Sequence, residues 1–136
     1  MSLTVRRVVT DHDERGHSKV ALDERCANVI SRRPGHESCV AWTGADGTIF
    51  RVVEYQPGVA PRLHRTETID YAVVISGEID MQLDTGAVHL RAGDVLVQQA
   101  TLHDWVNRGT QPCRIAFVLV PTKPALRDGK VLHAVG

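Results

Sequence analysis

Short β-rich runs separated by turn residues dominate this 136-residue chain, and they constrain its fold more than any other feature. The runs are rich in valine, isoleucine and threonine, as is typical of strands. Glycine, proline, aspartate and asparagine separate most of them, as expected for turns. The predicted strands are 5–10, 19–22, 38–43, 48–55, 69–76, 78–84, 87–91, 94–98, 104–107 and 113–121. Their spacing predicts an all-β barrel or sandwich.

Hydrophobic patterning indicates which strand faces are buried. Residues 79–84 alternate between apolar and polar, as expected for a strand with one buried face. Runs 72–75 and 115–120 are apolar on both faces, which predicts cover on each side by a second internal sheet or a dimer interface. Helix signals are weak, at most a turn or two near 11–14 and 123–130. Segment 27–37 is expected to be a loop that closes over the barrel mouth.

Length and charge limit the classes of protein that fit. The chain predicts one domain, 1–136, with N-terminal strands over about 1–45, a barrel core over about 48–121 and a tail over 122–136. Sixteen basic residues balance sixteen acidic ones. This balance lacks the basic footprint of a protein that binds nucleic acid or an anionic membrane, so neither partner is expected.

Cysteine usage and hydropathy predict the compartment. Three cysteines are widely spaced with no C-x-x-C pair, which favours buried free thiols over disulfides or a zinc knuckle. The longest apolar runs are too short to span a bilayer, and no signal-peptide core follows the first arginines. A cytoplasmic protein is the expectation.

Two glycine-led stretches, 58–77 and 93–107, carry the candidate chemistry. Because residues i and i+2 of a strand share a face, Arg62, His64 and Thr66 are expected to point the same way. His103 and Trp105 are expected to share a face on another strand by the same parity. The pattern therefore places histidines and a tryptophan among apolar walls.

The two stretches resemble the motifs of the cupin superfamily, specifically its small single-domain members. The first motif, G-x5-H-x-H-x3/4-E-x6-G, is matched in every spacing by Gly58, His64, Thr66, Asp70 and Gly77. The second, G-x5-P-x-G-x2-H-x3-N, is matched with one residue fewer by Gly93, Gln98, Ala100, His103 and Asn107. The resemblance implies a double-stranded β-helix, or jelly-roll, barrel.

The resemblance also implies a metal site with altered ligands. His64, Asp70 and His103 stand at ligand positions that hold one divalent ion in the family, such as iron, manganese, nickel or zinc. Thr66 replaces the second histidine and Asp70 replaces the glutamate, so at most two imidazoles and one carboxylate remain. Glu67 is a further candidate ligand, although strand parity points it outward unless the strand bulges.

Three functions stay open for this site. The first is a metal-dependent enzyme of the isomerase, dehydratase, decarboxylase or oxygenase type. The second is a metal-free acid/base enzyme that uses His64 and His103, with Asp70 tuning them. The third is a non-catalytic module that binds a small ligand. A purely structural role for the histidines, as hydrogen-bonded core residues, is the simplest alternative.

Further expectations concern the pocket, the other histidines and the assembly. Residues expected in the substrate pocket are Arg62, as an anchor for a substrate carboxylate, Thr66, Gln98 and Trp105. The remaining histidines, expected at the solvated surface, are His12, His17, His36, His89 and His133. The expected partners are a small metabolite and a second copy of the chain in a homodimer.

Overall fold

A computed structural model describes residues 3–136, and every regular element in that range is a β-strand. The thirteen strands within it are β1 (Val5–His12), β2 (Ser18–Cys26), β3 (Val29–Arg33), β4 (His36–Thr43), β5 (Ile49–Tyr55), β6 (Thr68–Ser76), β7 (Glu78–Leu83), β8 (Gly86–Arg91), β9 (Val95–Gln99), β10 (Asp104–Val106), β11 (Cys113–Pro121), β12 (Ala125–Arg127) and β13 (Lys130–Leu132). The fold is the all-β jelly-roll barrel that the strand spacing and the motifs predict.

Two sheets build the barrel. The larger has the order β3-β4-β5-β11-β6-β9, and the smaller has the order β10-β7-β8. Hairpins β1-β2 and β12-β13 form two further small sheets. Strand β11 lies between β5 and β6, and β10 lies beside β7, as in a jelly roll, where distant segments of chain become neighbours. The two glycine-led stretches meet at the barrel end for this reason.

The core lies on the inner faces of the two sheets. Strand β11 shows the alternation most clearly, because Ile115 and Phe117 are buried while Ala116 and Val118 between them are only half-buried. The antiparallel register places Phe117 opposite Arg51 of β5 on one side and Ala72 of β6 on the other. A second, smaller apolar cluster packs the N-terminal hairpin against β4 and β5.

The predicted strands are present, and the segments between them differ from expectation. Residues 27–37 hold strand β3 and its turn into β4 instead of a loop over the barrel mouth. Sequence patterning misses β3 because its side chains are mostly polar and exposed. Neither weak helix signal gives a helix in the described part of the chain. Residues 11–14 end β1 and begin a turn, and 123–130 contribute to the β12-β13 hairpin.

Of the two doubly apolar runs, 115–120 is partly covered on its outer side, where Ala116 packs against the second apolar cluster, whereas 72–75 has cover on one side only. In β6, Ala72 and Val74 face the core, whereas Val73 and Ile75 are 39% and 50% exposed. A second internal sheet therefore does not cover the outer face, which narrows the prediction to an interface with another molecule. The three cysteines are free and buried, as predicted. Within residues 3–136, no helix has the length and apolar character to cross a membrane.

Candidate functional site

His64 and His103 form a direct antiparallel pair at one end of the barrel. The backbone N–H of each donates to the carbonyl oxygen of the other, at 3.0 Å and 2.9 Å. Facing residues in such a pair project their side chains to the same side. The two imidazole rings consequently lie 4.5 Å apart between centroids, tilted by 51°, and both side chains are buried.

Backbone acceptors fix the tautomer of both rings. Nδ1 of His64 donates to the carbonyl oxygen of Arg62 at 2.9 Å, and Nδ1 of His103 donates to that of Thr101 at 2.8 Å. A carbonyl only accepts, so each Nδ1 carries the proton and each neutral ring keeps its lone pair on Nε2. The site thus offers two basic nitrogens whose orientation the main chain holds.

Burial keeps this pair of rings neutral. It lowers the pKa of both His64 and His103, since an imidazolium loses hydration in the barrel. For His64, the charge of His103 lowers the pKa further. For His103, the nearby carboxylate of Asp70 acts in the opposite direction. Both imidazoles are therefore uncharged at neutral pH and able to accept a proton.

Asp70 projects into the same cavity from β6, and hydrogen bonds engage both of its oxygens. Oδ1 accepts from the Thr68 hydroxyl at 2.6 Å, and Oδ2 accepts from the Gln98 amide at 3.1 Å. Because the single proton of Thr68 goes to Asp70, the Thr66 hydroxyl must donate to Thr68, at 2.8 Å. Thr66, at the position of the motif's second histidine, thus begins a relay that fixes the carboxylate.

Gln98 lies beside Asp70, as its partner on β9, and does not line the cavity, although its motif position placed it in the pocket. Its side-chain oxygen accepts from the backbone N–H and the hydroxyl of Thr101. These bonds orient the amide so that its N–H groups face the carboxylate. Gln98 therefore has a positioning role toward Asp70.

A divalent metal fits this donor set only in part. The bare Nε2 atoms of His64 and His103 suit such an ion, and their Nδ1 bonds to carbonyls are the usual support of metal-binding histidines. Thr68 and Gln98 each donate one hydrogen bond to Asp70, which leaves lone pairs free on its carboxylate, but Asp70 does not converge with the two histidines as a third ligand would. In the described range, no three histidine, cysteine or acidic side chains converge as a metal site would require. Glu67 lies 3.5 Å from His133, beyond the cavity wall.

The cavity at the histidines is narrow, with a volume of about 30 Å³. Such a space holds one or a few water molecules. Trp105 forms part of the wall, 3% exposed, and meets His103 and Phe117 edge to face at 6.2 Å and 5.9 Å between centroids. A flat aromatic wall therefore stands beside the two basic nitrogens, and a larger ligand requires side chains to move at the mouth.

His36 is part of this cavity, so the expectation that it lies at the solvated surface is wrong. It is 6% exposed and packs edge to face on Tyr55, with 5.6 Å between ring centroids. Burial, followed by the charges of nearby arginines, lowers its pKa to about 4. His12, His17, His89 and His133 are exposed as expected. The sequence misplaced His36 because strand β3, which makes its neighbourhood a sheet, went unpredicted.

Four arginines also line the cavity, of which sequence reasoning identified only Arg62. The others are Arg32, Arg33 and Arg51. A signal for Arg51 was present in the sequence. It lies two and four residues before Val53 and Tyr55 in a predicted strand and so shares their inward face.

The motif residues that do not reach the cavity hold the two stretches together. Asn107 donates its side-chain amide to the carbonyl oxygens of Tyr55 and Gln111, at 3.0 Å and 2.9 Å. The backbone carbonyl oxygen of Asn107 accepts a hydrogen bond from the backbone N–H of Gly58 at 3.0 Å. The last residue of the second motif is thereby tied to the first residue of the first motif.

A jelly-roll barrel whose two glycine-led motifs bring histidines together at one end defines the cupin class of protein. A model of the Cupin domain matches residues 51–120. The chain belongs to this family.

Curated relatives support that membership over the barrel region. Phomopsin biosynthesis cluster protein C' of Diaporthe leptostromiformis is 47% identical over 91 residues, which cover 65% of this chain and 48% of that protein. Cupin-domain-containing oxidoreductase fogC of Aspergillus ruber is 43% identical over 92 residues, covering 65% and 45% respectively. The chain thus spans about half the length of these curated relatives.

Solved structures share the fold. An uncharacterised double-stranded β-helix protein from Klebsiella pneumoniae aligns with a TM-score of 0.58 and 25% identity, over 68% of this chain and 83% of that one. The polyketide cyclase RemF from Streptomyces resistomycificus aligns with a TM-score of 0.58 and 21% identity, over 69% and 75%. At this identity the second likeness shows the barrel alone.

Proposed function

We propose that the protein is an enzyme of small-molecule metabolism that moves a proton on a metabolite bound in the barrel. The observation that carries this proposal is the paired His64 and His103, neutral and oriented by the main chain, with bare Nε2 atoms beside Trp105. Core histidines that serve only packing would not need two unused basic nitrogens on one cavity wall. Relatives named as biosynthesis cluster proteins and oxidoreductases support a metabolic role.

In the proposed reaction, one imidazole removes a proton from a carbon or hydroxyl next to a substrate carbonyl. The adjacent Nε2 accepts a hydrogen bond from the imidazolium that forms, which stabilises the charged state inside the barrel. The same proton is then returned to another atom of the substrate. Asp70 favours the protonated form of His103 through its charge. In tautomerisation the proton goes to the carbonyl oxygen or back to carbon. In dehydration it goes to the β-hydroxyl, whose C–O bond breaks as water leaves. In decarboxylation it goes from the carboxyl group to the carbon whose C–C bond breaks as CO₂ leaves.

Hydrogen exchange tests the proposal without knowledge of the substrate. The protein is incubated in D₂O with a panel of enolisable carbonyl compounds, and deuterium incorporation is followed by NMR. We expect at least one compound to exchange faster than in buffer and His64→Gln and His103→Gln to lower that rate by about 10²-fold or more. His89→Gln, at an exposed site, is the control. Saturable binding with no exchange by any compound would instead indicate a ligand-binding module.

A metal-dependent enzyme is the second candidate, favoured by the two free Nε2 atoms and by relatives named oxidoreductases. His64 and His103 would hold iron, manganese, nickel or zinc, which supplies a Lewis acid or redox centre. Asp70 would have to move toward the two Nε2 atoms to join them as a ligand. Elemental analysis of protein purified without chelator or an affinity metal decides this. Stoichiometric metal that His103→Ala removes supports the second candidate, and a reproducibly metal-free active protein contradicts it.

We also propose that the protein acts in the cytoplasm. Its cysteines Cys26, Cys39 and Cys113 are free thiols in the described chain. Unpaired thiols are usual in reducing compartments. Fractionation of cells that express the untagged protein tests this placement.

A further inference from the structure

Arg51 points into the barrel cavity, where it is half-buried and has no ion-pair partner among the described residues. It lies on the inward face of β5, which it shares with the fully buried Val53 and the buried Tyr55. Its Nε is buried and lacks a hydrogen-bond partner. Within residues 3–136 its guanidinium makes neither a hydrogen bond nor an ion pair, and its contact is the face of Phe117, 5.9 Å from the ring centroid. Burial of a charge without a partner is unfavourable, because the lost hydration is not replaced.

On the outer face of the same sheet, by contrast, an arginine does have an acidic partner. Arg114 on β11 pairs with Glu54 of β5 at 2.6 Å. Glu54 neighbours Val53 in sequence but points to the opposite face of the strand, away from Arg51. The arginine on the outer face is therefore neutralised, and the arginine inside the barrel is left unpaired.

The other three cavity arginines carry positive charges of their own, and among the described residues these charges are also not paired. Arg33 donates from Nε to the carbonyl oxygen of Ala60 at 2.9 Å, and Arg62 donates to that of Gly136 at 3.1 Å. Neither of them, nor Arg32, forms an ion pair in the described chain. Asp70 is the one acidic residue among the described residues that line the cavity, and Thr68 and Gln98 already engage it.

Mutual repulsion among these groups adds to the cost of burial. Burial lowers the pKa of Arg51 most; Tyr55 and Asp70 raise it in part, and the charges of Arg32 and Arg62 lower it. Burial also lowers the pKa of Arg33 most; Tyr55 raises it, the charges of Arg62 and Arg51 lower it, and Asp104 raises it. A bound anion would relieve both effects, because it replaces lost hydration and screens the four charges from one another.

We propose that the cavity binds a small organic carboxylate, whose two oxygens are held by the Arg51 guanidinium. A planar fork at the end of a narrow cavity matches a carboxylate, which is also planar and carries one charge. Arg32 and Arg62, exposed at the mouth, move aside to admit the ligand and then cover it. Phe117 and Trp105 flank its carbon skeleton. The orientation of the reacting carbon toward His64 and His103 rests on the proposed function, whereas carboxylate binding does not.

Ligand-dependent stability tests the proposal. Thermal unfolding and titration calorimetry are run at constant ionic strength with acetate, pyruvate and benzoate, their neutral counterparts acetamide, methyl pyruvate and benzamide, and inorganic phosphate. At least one carboxylate is expected to raise the unfolding midpoint saturably, as a ligand specific for the folded state does. Its neutral counterpart is expected to have no such effect. Arg51→Met should weaken carboxylate binding roughly tenfold to hundredfold.

The unfolding midpoint of Arg51→Met without ligand shows whether Arg51 serves binding or the stability of the fold. Because Arg51→Met removes an unpaired buried charge, its midpoint without ligand should equal or exceed that of the wild type. Arg114→Met, which breaks an outer ion pair, is the matched control and should bind carboxylates normally. The proposal is overturned if no carboxylate acts differently from its neutral counterpart, if phosphate stabilises as strongly, or if Arg51→Met destabilises the fold and retains binding.

These experiments distinguish failure of the carboxylate site from failure of the proposed acid/base function. Carboxylate binding that requires Arg51, with no hydrogen exchange, supports the anion site and contradicts the acid/base function. Exchange that requires His64 and His103 on neutral compounds alone supports the function and contradicts the anion site.

Discussion

His64 and His103 are joined by two backbone hydrogen bonds and not by their side chains, so the main chain determines the distance between the two rings. Replacing either ring therefore leaves the other in place, with its Nδ1 still donating to a carbonyl oxygen. The two rings influence each other through charge, and each can be changed without displacing its partner.

This independence predicts how His64 responds to the loss of its neighbour. The charge of His103 lowers the pKa of His64, so His103→Gln should raise the pKa of His64 toward the ordinary histidine value. NMR titration of the imidazole nitrogens measures the change, with His89→Gln as the control. An unchanged or lower pKa for His64 would contradict the close coupling of the rings.

His36 should make the fold sensitive to acid. Its pKa is lowered from 6.5 to about 4 in the folded protein, so the unfolded chain takes up a proton first as pH falls. Its contribution to stability is complete above about pH 6.5 and is lost between about 6.5 and 4, by roughly 3 kcal/mol in all.

Substitution isolates this effect. His36→Phe, which keeps an aromatic ring against Tyr55, should lose less stability than the wild type between pH 7 and pH 5 in denaturant titrations. The exposed His12→Gln serves as the control and should behave as the wild type. Equal acid sensitivity in His36→Phe would show that His36 is not the responsible group.

The motif glycines should differ sharply in their tolerance of a side chain. Gly77 has φ = 76°, and a Cβ added there would meet the Pro112 carbonyl oxygen and lie 2.9 Å from Cα of Cys113. Gly93 has φ = 92° with open space around the same position. Gly93→Ala should cost about 1–2 kcal/mol from backbone strain alone. Gly77→Ala should cost clearly more in chemical denaturation, and equal losses would contradict the steric explanation.

The outer face of the six-stranded sheet is the surface we propose for a homodimer. Val95 and Val97 on the edge strand β9 are 77% and 58% exposed, and Val97 lies beside Tyr71 of β6. The charges of Arg114 and Glu54 neutralise each other, so two copies can meet face to face without repulsion.

Light scattering tests this assembly. The wild type should give twice the mass of the chain, and Val97→Lys should shift it to the monomer by placing two like charges in the interface. Lys123→Ala, outside this face, is the control. A wild-type monomer at high micromolar concentration would contradict the dimer.

Sequence periodicity and motif spacing were sufficient for most of the barrel and for the pair of histidines. Strand parity determines which side chains turn inward, and jelly-roll topology brings His103 to His64. The same reasoning failed for His36, because the polar strand β3 carries no alternation that would reveal it. The motif position also put Gln98 in the pocket, because a motif match does not show that its amide is taken up by Asp70 and Thr101.

The relay from Thr66 through Thr68 to Asp70 has a consequence for the evolution of the site. A histidine at position 66 would add the imidazole of the full family motif and remove the hydroxyl that begins the relay. One substitution would then supply a new nitrogen and loosen the carboxylate together. Position 66, which does not itself contact Asp70, thus links the number of imidazoles at the site to how firmly the carboxylate is held.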